Sequence, residues 1–556
     1  MTSSLKVFIE ILSVSRRNYG DGGWFSLLFA VKLILLGLKA DIPLSGLIIG
    51  YHSAMKFLDS LLLSQSCIVK TDLCWSDAET VLCLIRSVIQ TNKALYLSEI
   101  TVQHLSINIL SAFLSSLHSS VTREQLSPCV CYCRCPGLAS HLTTTYKHAI
   151  VMDMTCPTHL LDNKRKNMRV ALFDCSLELA SLGEEITVEI SSSPGMPLCR
   201  DSGRDEDGSI KSAERRVLEC AAELFVRSGV GLVGSQRRIH PRLVKLLSSR
   251  GVLVLPRLSV RFITSMQQLS GAKILGHFSN SHVLDPTSVL DSSVLGFLSS
   301  LRVEVLGGRR LVVARTETDS EAVRQCFSVA DCEALLQRRK LVSTVVIAMP
   351  SSALCEEMQV QLEGVVQVLS DCISHPQVLP GGGCWQHWLA TRLKRQLLHG
   401  NREESKPDSV DRAVMCAIKV FAEALEQCAL VAGGRQRGID ETTEDDKVFM
   451  YPDEHEEGSV EALDALEIPR LLEFSSPTGP VLTCVRSSVI NSETEAMSNV
   501  QIDDTSQQVH ETTVISAQVL DAFLPSVRAL QQAVEAAVCL LQADAVLELQ
   551  PQEVRK

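Results

Sequence analysis

The stretch that decides the fold is Val170-Ala171-Leu172-Phe173, an apolar run between Arg169 and Asp174. Four consecutive apolar residues with polar neighbours are typical of a buried strand. Similar short runs follow downstream, with helical periodicity between them. The predicted strands are residues 186–190, 231–233 and 252–255, and the predicted helices are residues 210–227 and 241–250. Strands that alternate with helices at this spacing indicate an α/β domain.

This domain is predicted to extend from about residue 145 to 335. Near its end, residues 302–306 and 310–315 form a predicted strand pair that turns at Gly307-Gly308, because adjacent glycines favour a tight hairpin. A strand over 343–348 and a helix over 356–370 are predicted next.

Both flanks of the α/β domain have helical periodicity. Residues 5–117 are predicted to be helical, with Asp77 as an N-cap, and the last predicted helix covers residues 517–541. Polar segments that predict exposed loops are residues 191–209, 433–458 and 475–511. The α/β domain is therefore inserted between two helical segments, which are predicted to fold together.

Composition narrows the class of protein. The chain has 556 residues, of which 46% are hydrophobic and 21% charged, so several globular domains are expected. A net charge of −11 argues against nucleic-acid binding, which requires a basic surface. The 20 cysteines are scattered through apolar segments, which favours reduced, buried thiols. Lys32, Lys39 and Asp41 interrupt the apolar stretch 24–50, which predicts a buried amphipathic helix and no membrane insertion.

The nested order and several motifs resemble the group II chaperonins of the TCP-1/cpn60 family. The motifs are Gly20-Asp21-Gly22, residues 170–179, Ile239-His240-Pro241, Ser270-Gly271-Ala272, Pro380-Gly381-Gly382-Gly383 and Asp521-Ala522-Phe523-Leu524. Within the family, residues 81–89, 112–114 and 381–384 are similar to the chaperonin-like proteins of the Bardet–Biedl group.

The resemblance implies an α/β multidomain chaperonin fold, with a helical equatorial domain from both termini, a small intermediate domain and an inserted α/β apical domain. The expected equatorial domain comprises residues 1–90 and 379–556, the intermediate domain residues 91–144 and 336–378, and the apical domain residues 145–335. Residues 191–208 occupy the place of the family's helical protrusion, but their prolines and glycines fit a long helix badly.

The resemblance also implies a site for ATP and magnesium. Its nucleotide-binding residues would be Asp21, Gly22, Gly381, Gly382, Gly383 and Asp521. Glycines let backbone N–H groups approach phosphate, and a carboxylate would hold the magnesium ion. Two readings compete with these roles: the glycine triplet as a plain helix-entry turn, and Asp21 as a helix cap.

Several departures from the family pattern lie in that site. Gly23 and Trp24 replace two threonines, and Gln386 and Trp388 replace acidic residues. Counting back from the triplet places Gly364 where the family has its hydrolytic aspartate, with Glu363 about 100° away on the helix. The family's first phosphate loop has no match before Asp21, so the chain is N-terminally short or lacks that loop. We expect ATP hydrolysis to be lost, with weak nucleotide binding as the alternative.

Partners and location also follow only from the resemblance. It implies work with other Bardet–Biedl chaperonin-like proteins and with subunits of the cytosolic chaperonin TRiC, to assemble BBSome subunits into a coat for ciliary traffic. It implies the cytosol, the centrosome and the base of the cilium as locations. The alternatives are an active ATP-dependent foldase subunit of a ring and a centrosomal scaffold without client folding.

Two other constellations stand out. The cysteines in Cys129-Val130-Cys131-Tyr132-Cys133-Arg134-Cys135 would share one face of a strand. Structural zinc sites use two separated ligand pairs, so a buried strand face is favoured over a metal site, and no structural metal is expected. His240, beside Pro241, is interpreted as structural, and no catalytic residues are predicted.

Overall fold

A computed structural model describes residues 3–63, 70–92, 95–117, 128–154, 165–178, 206–276, 289–317, 320–400, 409–432, 470–472, 481–483 and 519–549. The chain divides into two compact units. One combines Met1–Leu97 with Gln361–Lys556, and the other is Ser98–Val360. We call them the helical unit and the α/β unit. The three-domain boundaries expected from the sequence stay a prediction.

The described helices are α1 (Ser3–Tyr19), α2 (Gly23–Lys39), α3 (Leu44–Leu63), α4 (Ala78–Gln90), α5 (Glu99–Ser116), α6 (Glu206–Arg227), α7 (Pro241–Ser249), α8 (Val260–Ser270), α9 (Ser320–Arg324), α10 (Val329–Arg338), α11 (Ser352–Ser374), α12 (Cys384–Gly400), α13 (Ser409–Ala432) and α14 (Phe523–Leu549). The described strands are β1 (Thr71–Asp72), β2 (Cys129–Pro136), β3 (Thr144–Tyr146), β4 (Ala149–Met152), β5 (Arg165–Phe173), β6 (Val230–Ser235), β7 (Leu253–Leu255), β8 (Ile274–Leu275), β9 (Gly296–Leu306), β10 (Arg309–Arg315), β11 (Val342–Met349), β12 (Gln377–Pro380), β13 (Arg470–Leu472), β14 (Val481–Thr483) and β15 (Leu520–Ala522).

In the helical unit, α2, α3, α12, α13 and α14 surround one aliphatic and aromatic core. The Phe29 ring meets the Phe421 ring edge-on at 5.2 Å between centroids, and the Tyr51 hydroxyl donates to the carbonyl of Leu33 at 2.7 Å. The prediction of one helix over 24–50 is wrong in extent. Two helices form instead, because Asp41 has φ 52° and Pro43 cannot continue an interior helical hydrogen-bond ladder. Among the described residues, no helix is both long and apolar enough to span a bilayer.

A small antiparallel sheet, β1-β12-β15, belongs to the same unit. In it Leu379 is opposite Asp521 and Pro380 is opposite Leu520. The last helix was predicted to begin at residue 517, but α14 begins at Phe523 because residues 520–522 pair with β12 as a strand. Asp77 caps α4 as predicted, since its carboxylate accepts from the N–H of Glu79.

The α/β unit is built on a seven-stranded sheet in the order β4-β10-β9-β5-β6-β7, with β8 pairing to β5. Strands β5, β6 and β7 are parallel, and β9 and β10 form the predicted hairpin, in which Arg309 is opposite Leu306. One face of this sheet packs against α6 and α7, and the other against α8. The α/β prediction is confirmed for these described elements.

A second sheet of the α/β unit has the order β2-β11-β3, with β2 parallel to β11. The predicted strand over the four cysteines is confirmed as β2. His240 has the structural role that was predicted, because its Nδ1 accepts from the N–H of Arg242 at 3.2 Å and caps α7.

Several predictions fall partly or wholly outside the described residues. The strand over 186–190 and the acidic loop over 433–458 lie entirely outside them. The predicted loop over 191–209 is described only from residue 206, where α6 already begins. Within 475–511 only Val481–Thr483 is described, and it is a strand paired with β13, so a loop was the wrong prediction there.

Candidate functional site

The residues expected to bind nucleotide lie in two parts of the helical unit. Asp21 and Gly22 form the turn between α1 and α2, and Gly381–Gly383 join β12 to α12. Asp521 lies on β15, which the pairing of β12 with β15 brings beside the glycine triplet. A Cβ on Gly381 would lie 2.8 Å from Oδ1 of Asp521.

The turn from Gly20 to Gly22 is packed tightly against two helices. Gly20 has φ +77° and Gly22 has φ +80°, both in the left-handed region that favours glycine. Gly22 lies against α14, where a Cβ would come within 2.8 Å of the Cβ of Ala529. Asp21 does not cap α2, since the N-cap residue is Gly22 and it makes no side-chain cap. The helix-cap reading of Asp21 is therefore wrong.

The contact between Gly20 and Gly364 on α11 is the tightest feature of the site. A Cβ on Gly364 would lie 2.4 Å from the carbonyl oxygen of Gly20, and a Cβ on Gly20 would lie 2.3 Å from the carbonyl oxygen of Gly364. Neither position can carry a side chain unless the backbone moves. Gly364 is buried, whereas the neighbouring Glu363 is exposed on another face of the helix.

The glycine triplet also has close backbone neighbours. The N–H of Gly381 donates to the carbonyl of Val519 at 2.9 Å, so it is already engaged. A Cβ on Gly383 would lie 2.3 Å from the carbonyl oxygen of Ala429 on α13. Packing alone therefore requires glycine at 381 and 383, which supports the helix-entry reading of the triplet.

Two carboxyl groups share the site, and desolvation raises the pKa of both. Asp521 has its pKa raised to about 7, first by desolvation and then by the negative charge of Asp21. The indole N–H of Trp385 donates to Oδ2 of Asp521 at 2.9 Å and opposes this increase. Desolvation also raises the pKa of Asp21, against the opposing effects of the Gly22 N–H and the Arg16 charge. Without a cation beside them, these surroundings favour the protonated form of both carboxyl groups, and a magnesium ion would have to displace the protons in order to bind.

A cavity of about 300 Å³ lies beside the turn, lined by α1, the start of α2, Thr91 and Gln361. Gln361 crosses it, accepting from Nη2 of Arg16 at 3.3 Å and donating to the Thr91 hydroxyl at 3.2 Å. Trp24, where the family has a threonine, lies at the cavity with 59% of its surface exposed. The volume is at the lower end for ligand cavities, and the lining includes neither the glycine triplet nor Asp521.

Sequence reasoning missed four members of this site: Arg16, Thr91, Gln361 and Trp385. Only Trp385 had a local signal, because it lies two residues after the glycine triplet in the sequence. Gln386 and Trp388, at positions that are acidic in the family, are both buried, and the guanidinium of Arg392 lies 5.3 Å from the Trp388 ring centroid.

The α/β unit carries a different kind of candidate surface. In the segment 241–261 most apolar side chains are buried, but Val260 is 63% exposed and Val244 and Leu246 are half-buried. On α5, Ile100, Ile107 and Leu114 are 81%, 51% and 50% exposed. Because these three recur every seven residues, they form one apolar stripe along the helix.

A family model and curated relatives identify the family of this chain. The model of the TCP-1/cpn60 chaperonin family matches residues 4–434. The chain belongs to this chaperonin family. The expectation from residues 81–89, 112–114 and 381–384 was likeness to the McKusick–Kaufman syndrome protein, and the curated relatives of this chaperonin include proteins named Molecular chaperone MKKS, so both parts of the recognition are confirmed.

The relatives are distant in sequence. The Mus musculus Molecular chaperone MKKS is 24% identical over 441 residues, which cover 76% of this chain and 68% of that protein. The Homo sapiens protein of the same name is 22% identical over 442 residues, covering 75% and 66%. Thermosome subunit alpha of Sulfolobus acidocaldarius is 21% identical over 285 residues, covering 51% and 42%. The match therefore spans about two thirds of the MKKS proteins.

Among solved structures, the open-state monomer of a group II chaperonin from Methanococcoides burtonii matches with 14% identity and a TM-score of 0.48, covering 94% of this chain and 99% of that one. Because the chain belongs to the chaperonin family, its fold class is the α/β multidomain chaperonin fold and its role is chaperonin-like.

Proposed function

We propose that this chaperonin-like chain is an assembly factor that holds partly folded BBSome subunits without hydrolysing ATP. It would act with other Bardet–Biedl chaperonin-like proteins and with TRiC subunits, in the cytosol and around the centrosome at the base of the cilium. Its relatives named Molecular chaperone MKKS support the assignment of the chain to this group of chaperonin-like proteins. The partners and the location come from the resemblance.

The contact between Gly20 and Gly364 carries the proposal that hydrolysis is lost. An aspartate at position 364 would have to place its Cβ 2.4 Å from the Gly20 carbonyl oxygen. A water-positioning carboxylate therefore has no room at the place where the family has one. Together with the engaged N–H of Gly381 and the indole of Trp24, this makes the residues present a poor fit to a magnesium nucleotide.

Exposed apolar surface on the α/β unit supports the holding function. Partly folded proteins expose apolar side chains, and a complementary apolar surface binds them through the hydrophobic effect. The stripe Ile100, Ile107 and Leu114 on α5 and the exposed Val260 at the start of α8 supply such surface. Complete burial of 241–261 would have removed the physical basis for holding by that segment, and Val260 is not buried.

The test is to identify the proteins that co-elute with the native chain. Lysate of ciliated cells is separated by gel filtration, and the fractions that contain the chain are analysed by mass spectrometry. We expect co-elution with TRiC subunits and BBSome components at the mass of a chaperonin ring. Migration at the mass of one chain, without these proteins, would contradict the assembly role and favour a scaffold. Co-elution with TRiC that ATP releases would favour an active ring subunit.

A further inference from the structure

Strand β2 presents a ladder of four thiols that the proposed function does not use. Cys129, Cys131, Cys133 and Cys135 alternate along it and therefore share one face. The ladder is divided in two: Cys129 and Cys131 are half-buried, whereas Cys133 and Cys135 are only 3% and 0% exposed. In its described sheet β2 is an edge strand that pairs with β11 alone.

The half-buried pair faces polar groups on α8. The Cys131 Sγ lies 3.2 Å from the Ser265 hydroxyl oxygen, and the Cys129 Sγ donates to Oε1 of Gln268 at 2.8 Å. Arg261, Ser265 and Gln268 are four and three residues apart, so they share one face of the helix. The Ser265 hydroxyl also lies 2.8 Å from the Arg261 carbonyl and can turn its proton from there to a thiolate.

These neighbours distinguish the two sulfurs. The Cys129 thiol has one proton, which can be directed to Gln268 or to Cys131. When it is directed to Cys131, that hydrogen bond, then the one from Ser265 and the charge of Arg261, lower the pKa of Cys131 to about 7, against desolvation. The same Cys129–Cys131 hydrogen bond and desolvation raise the pKa of Cys129, with Lys340 opposing. Cys131 is therefore substantially thiolate at neutral pH, and a protonated thiol lies beside it.

The second pair of the ladder provides an internal control. Cys133 and Cys135 pack in an apolar cluster with Leu311, Val313 and Val346. As in the first pair, the hydrogen bond between the two thiols separates their pKa values. This bond and desolvation raise the pKa of Cys133, whereas the bond lowers the pKa of Cys135 against desolvation and the charge of Asp153. Burial is therefore what distinguishes this pair from Cys129 and Cys131. This pair has the same spacing on the same strand, but it is closed to reagents from solvent.

We propose that Cys129 and Cys131 form a modification site that hydroperoxides oxidise to a disulfide. The thiolate of Cys131 attacks the outer peroxide oxygen, the O–O bond breaks, and the leaving oxygen takes a proton to become an alcohol, or water from hydrogen peroxide. Cys131 is then a sulfenic acid. The sulfur of Cys129 attacks it, the S–S bond forms, the S–O bond breaks, and the hydroxyl leaves as water with the Cys129 proton. Two thiols lose two electrons, which the hydroperoxide gains.

The distance between the Cα atoms of Cys129 and Cys131 in a regular strand is at the upper limit for a disulfide. Residues two apart in a strand have Cα atoms about 6.5–7 Å apart, and disulfides span up to about 6.8 Å. A slight local shortening of β2 is sufficient, and an edge strand yields more easily than one with a neighbour on both sides. Oxidation would remove the thiol proton that Gln268 accepts and the thiolate that faces Ser265 and Arg261, so the packing of α8 on β2 is the structure that would respond.

The test oxidises the reduced full-length chain with hydrogen peroxide, then blocks the remaining thiols, digests with trypsin and sequences the peptide 124–134 by mass spectrometry. We expect this peptide, which holds Cys129, Cys131 and Cys133, to lose two hydrogen atoms, with fragments that place the bond between Cys129 and Cys131. The alkylation rate of Cys131 should rise with pH to a midpoint of about 7, below the midpoint of about 8.5 of a free thiol.

Three variants define the outcome. Cys131→Ser should abolish the product, Cys129→Ser should leave a sulfenic acid on Cys131 that dimedone traps, and Cys133→Ser should react like wild type. A bond to Cys133, equal oxidation of Cys133 and Cys135, or no change in the peptide would overturn the proposal. The alkylation rate of Cys131 in the unsubstituted chain against pH keeps the test decisive if a variant fails to fold, since a midpoint near that of a free thiol would also overturn it.

Discussion

The helical unit and the α/β unit differ in what their characteristic residues do. In the helical unit, the glycines resemble those of a phosphate-binding loop, but neighbouring backbone occupies the space beside them. Gly20 packs against Gly364, and Gly383 packs against Ala429. In the α/β unit, apolar residues that could have been buried remain exposed, Ile100 at 81% above all. In the helical unit backbone fills the space beside these glycines, although that unit also exposes apolar side chains such as Leu63, at 67%. In the α/β unit the exposed side chains of α5 form one stripe.

This difference teaches that a retained motif and a retained function are separate observations. A glycine can persist because a nucleotide needs its N–H or because a neighbouring carbonyl needs its missing Cβ, and the sequence is the same in both cases. A single exposed isoleucine needs no explanation, since much of any protein surface is apolar, so the stripe on α5 is informative only because its three members share one face of the helix. We therefore expect substitutions in the helical unit to change stability, and surface substitutions in the α/β unit to change binding.

The largest effect is expected for Gly364→Asp, which restores the family's residue at the hydrolytic position. Its Cβ would meet the Gly20 carbonyl, and its carboxylate would be buried. The free energy of unfolding should fall by about 3 kcal/mol or more. Urea denaturation measures this, and a phosphate-release assay should find no ATP hydrolysis in either the wild type or the variant.

The matched control is Glu363→Asp, which places the same side chain one residue earlier on an exposed face and should change stability by less than about 0.5 kcal/mol. Gly364→Ala, with the Cβ but no charge, should lie between the two. If Gly364→Asp were as stable as the wild type, a side chain would fit between residue 364 and Gly20, contrary to the proposal. Robust hydrolysis by the wild type that Asp21→Ala abolishes would refute the loss of activity outright.

The next effect is a dependence of stability on pH. The folded pKa of Asp521, about 7, lies above that of an unfolded aspartate, about 4. Between these values the folded chain binds more protons than the unfolded chain, so this contribution to stability is complete below pH 4 and is lost as pH rises towards 7. From pH 5.5 to 7.5 it should weaken the fold by on the order of 2 kcal/mol.

Other groups titrate in the same range, so the variant Asp521→Asn is needed for comparison. Burial lowers the pKa of His387 to about 4, which makes the fold less stable as pH falls below about 6.5 and opposes the aspartate. Subtracting the profile of Asp521→Asn from that of the wild type isolates Asp521. Asp77→Asn, at a carboxyl whose pKa a Thr80 hydrogen bond lowers, is the control and should leave the profile unchanged above pH 5.5. Identical slopes for wild type and Asp521→Asn would contradict the buried-acid reading.

The local elements of both units could be predicted from sequence, and their long-range contacts could not. The periodicity around Val170 and the Asp77 cap depend on neighbouring residues, and the structure confirms them. The strand at residues 520–522 forms only because β12 pairs with it, so the sequence pattern alone extended the last helix over it. In the same way, counting identified Gly364, but its packing against Gly20 lies beyond any local pattern.

The smallest change in stability, with a large change in binding, is expected on α5. Ile107 is 51% exposed and Ile109 is fully buried, so the same substitution can be made on opposite sides of one helix. Ile109→Ser should cost several kcal/mol, because it leaves a cavity and buries a hydroxyl. Ile107→Ser should cost less than about 1 kcal/mol, and together with Ile100→Ser it should halve or further reduce co-elution with BBSome subunits in gel filtration.

Unchanged co-elution would remove the α5 stripe from the holding surface and leave Val260 on α8 as the next residue to substitute. Loss of co-elution accompanied by a loss of stability as large as that of Ile109→Ser would instead show that the stripe is part of the fold.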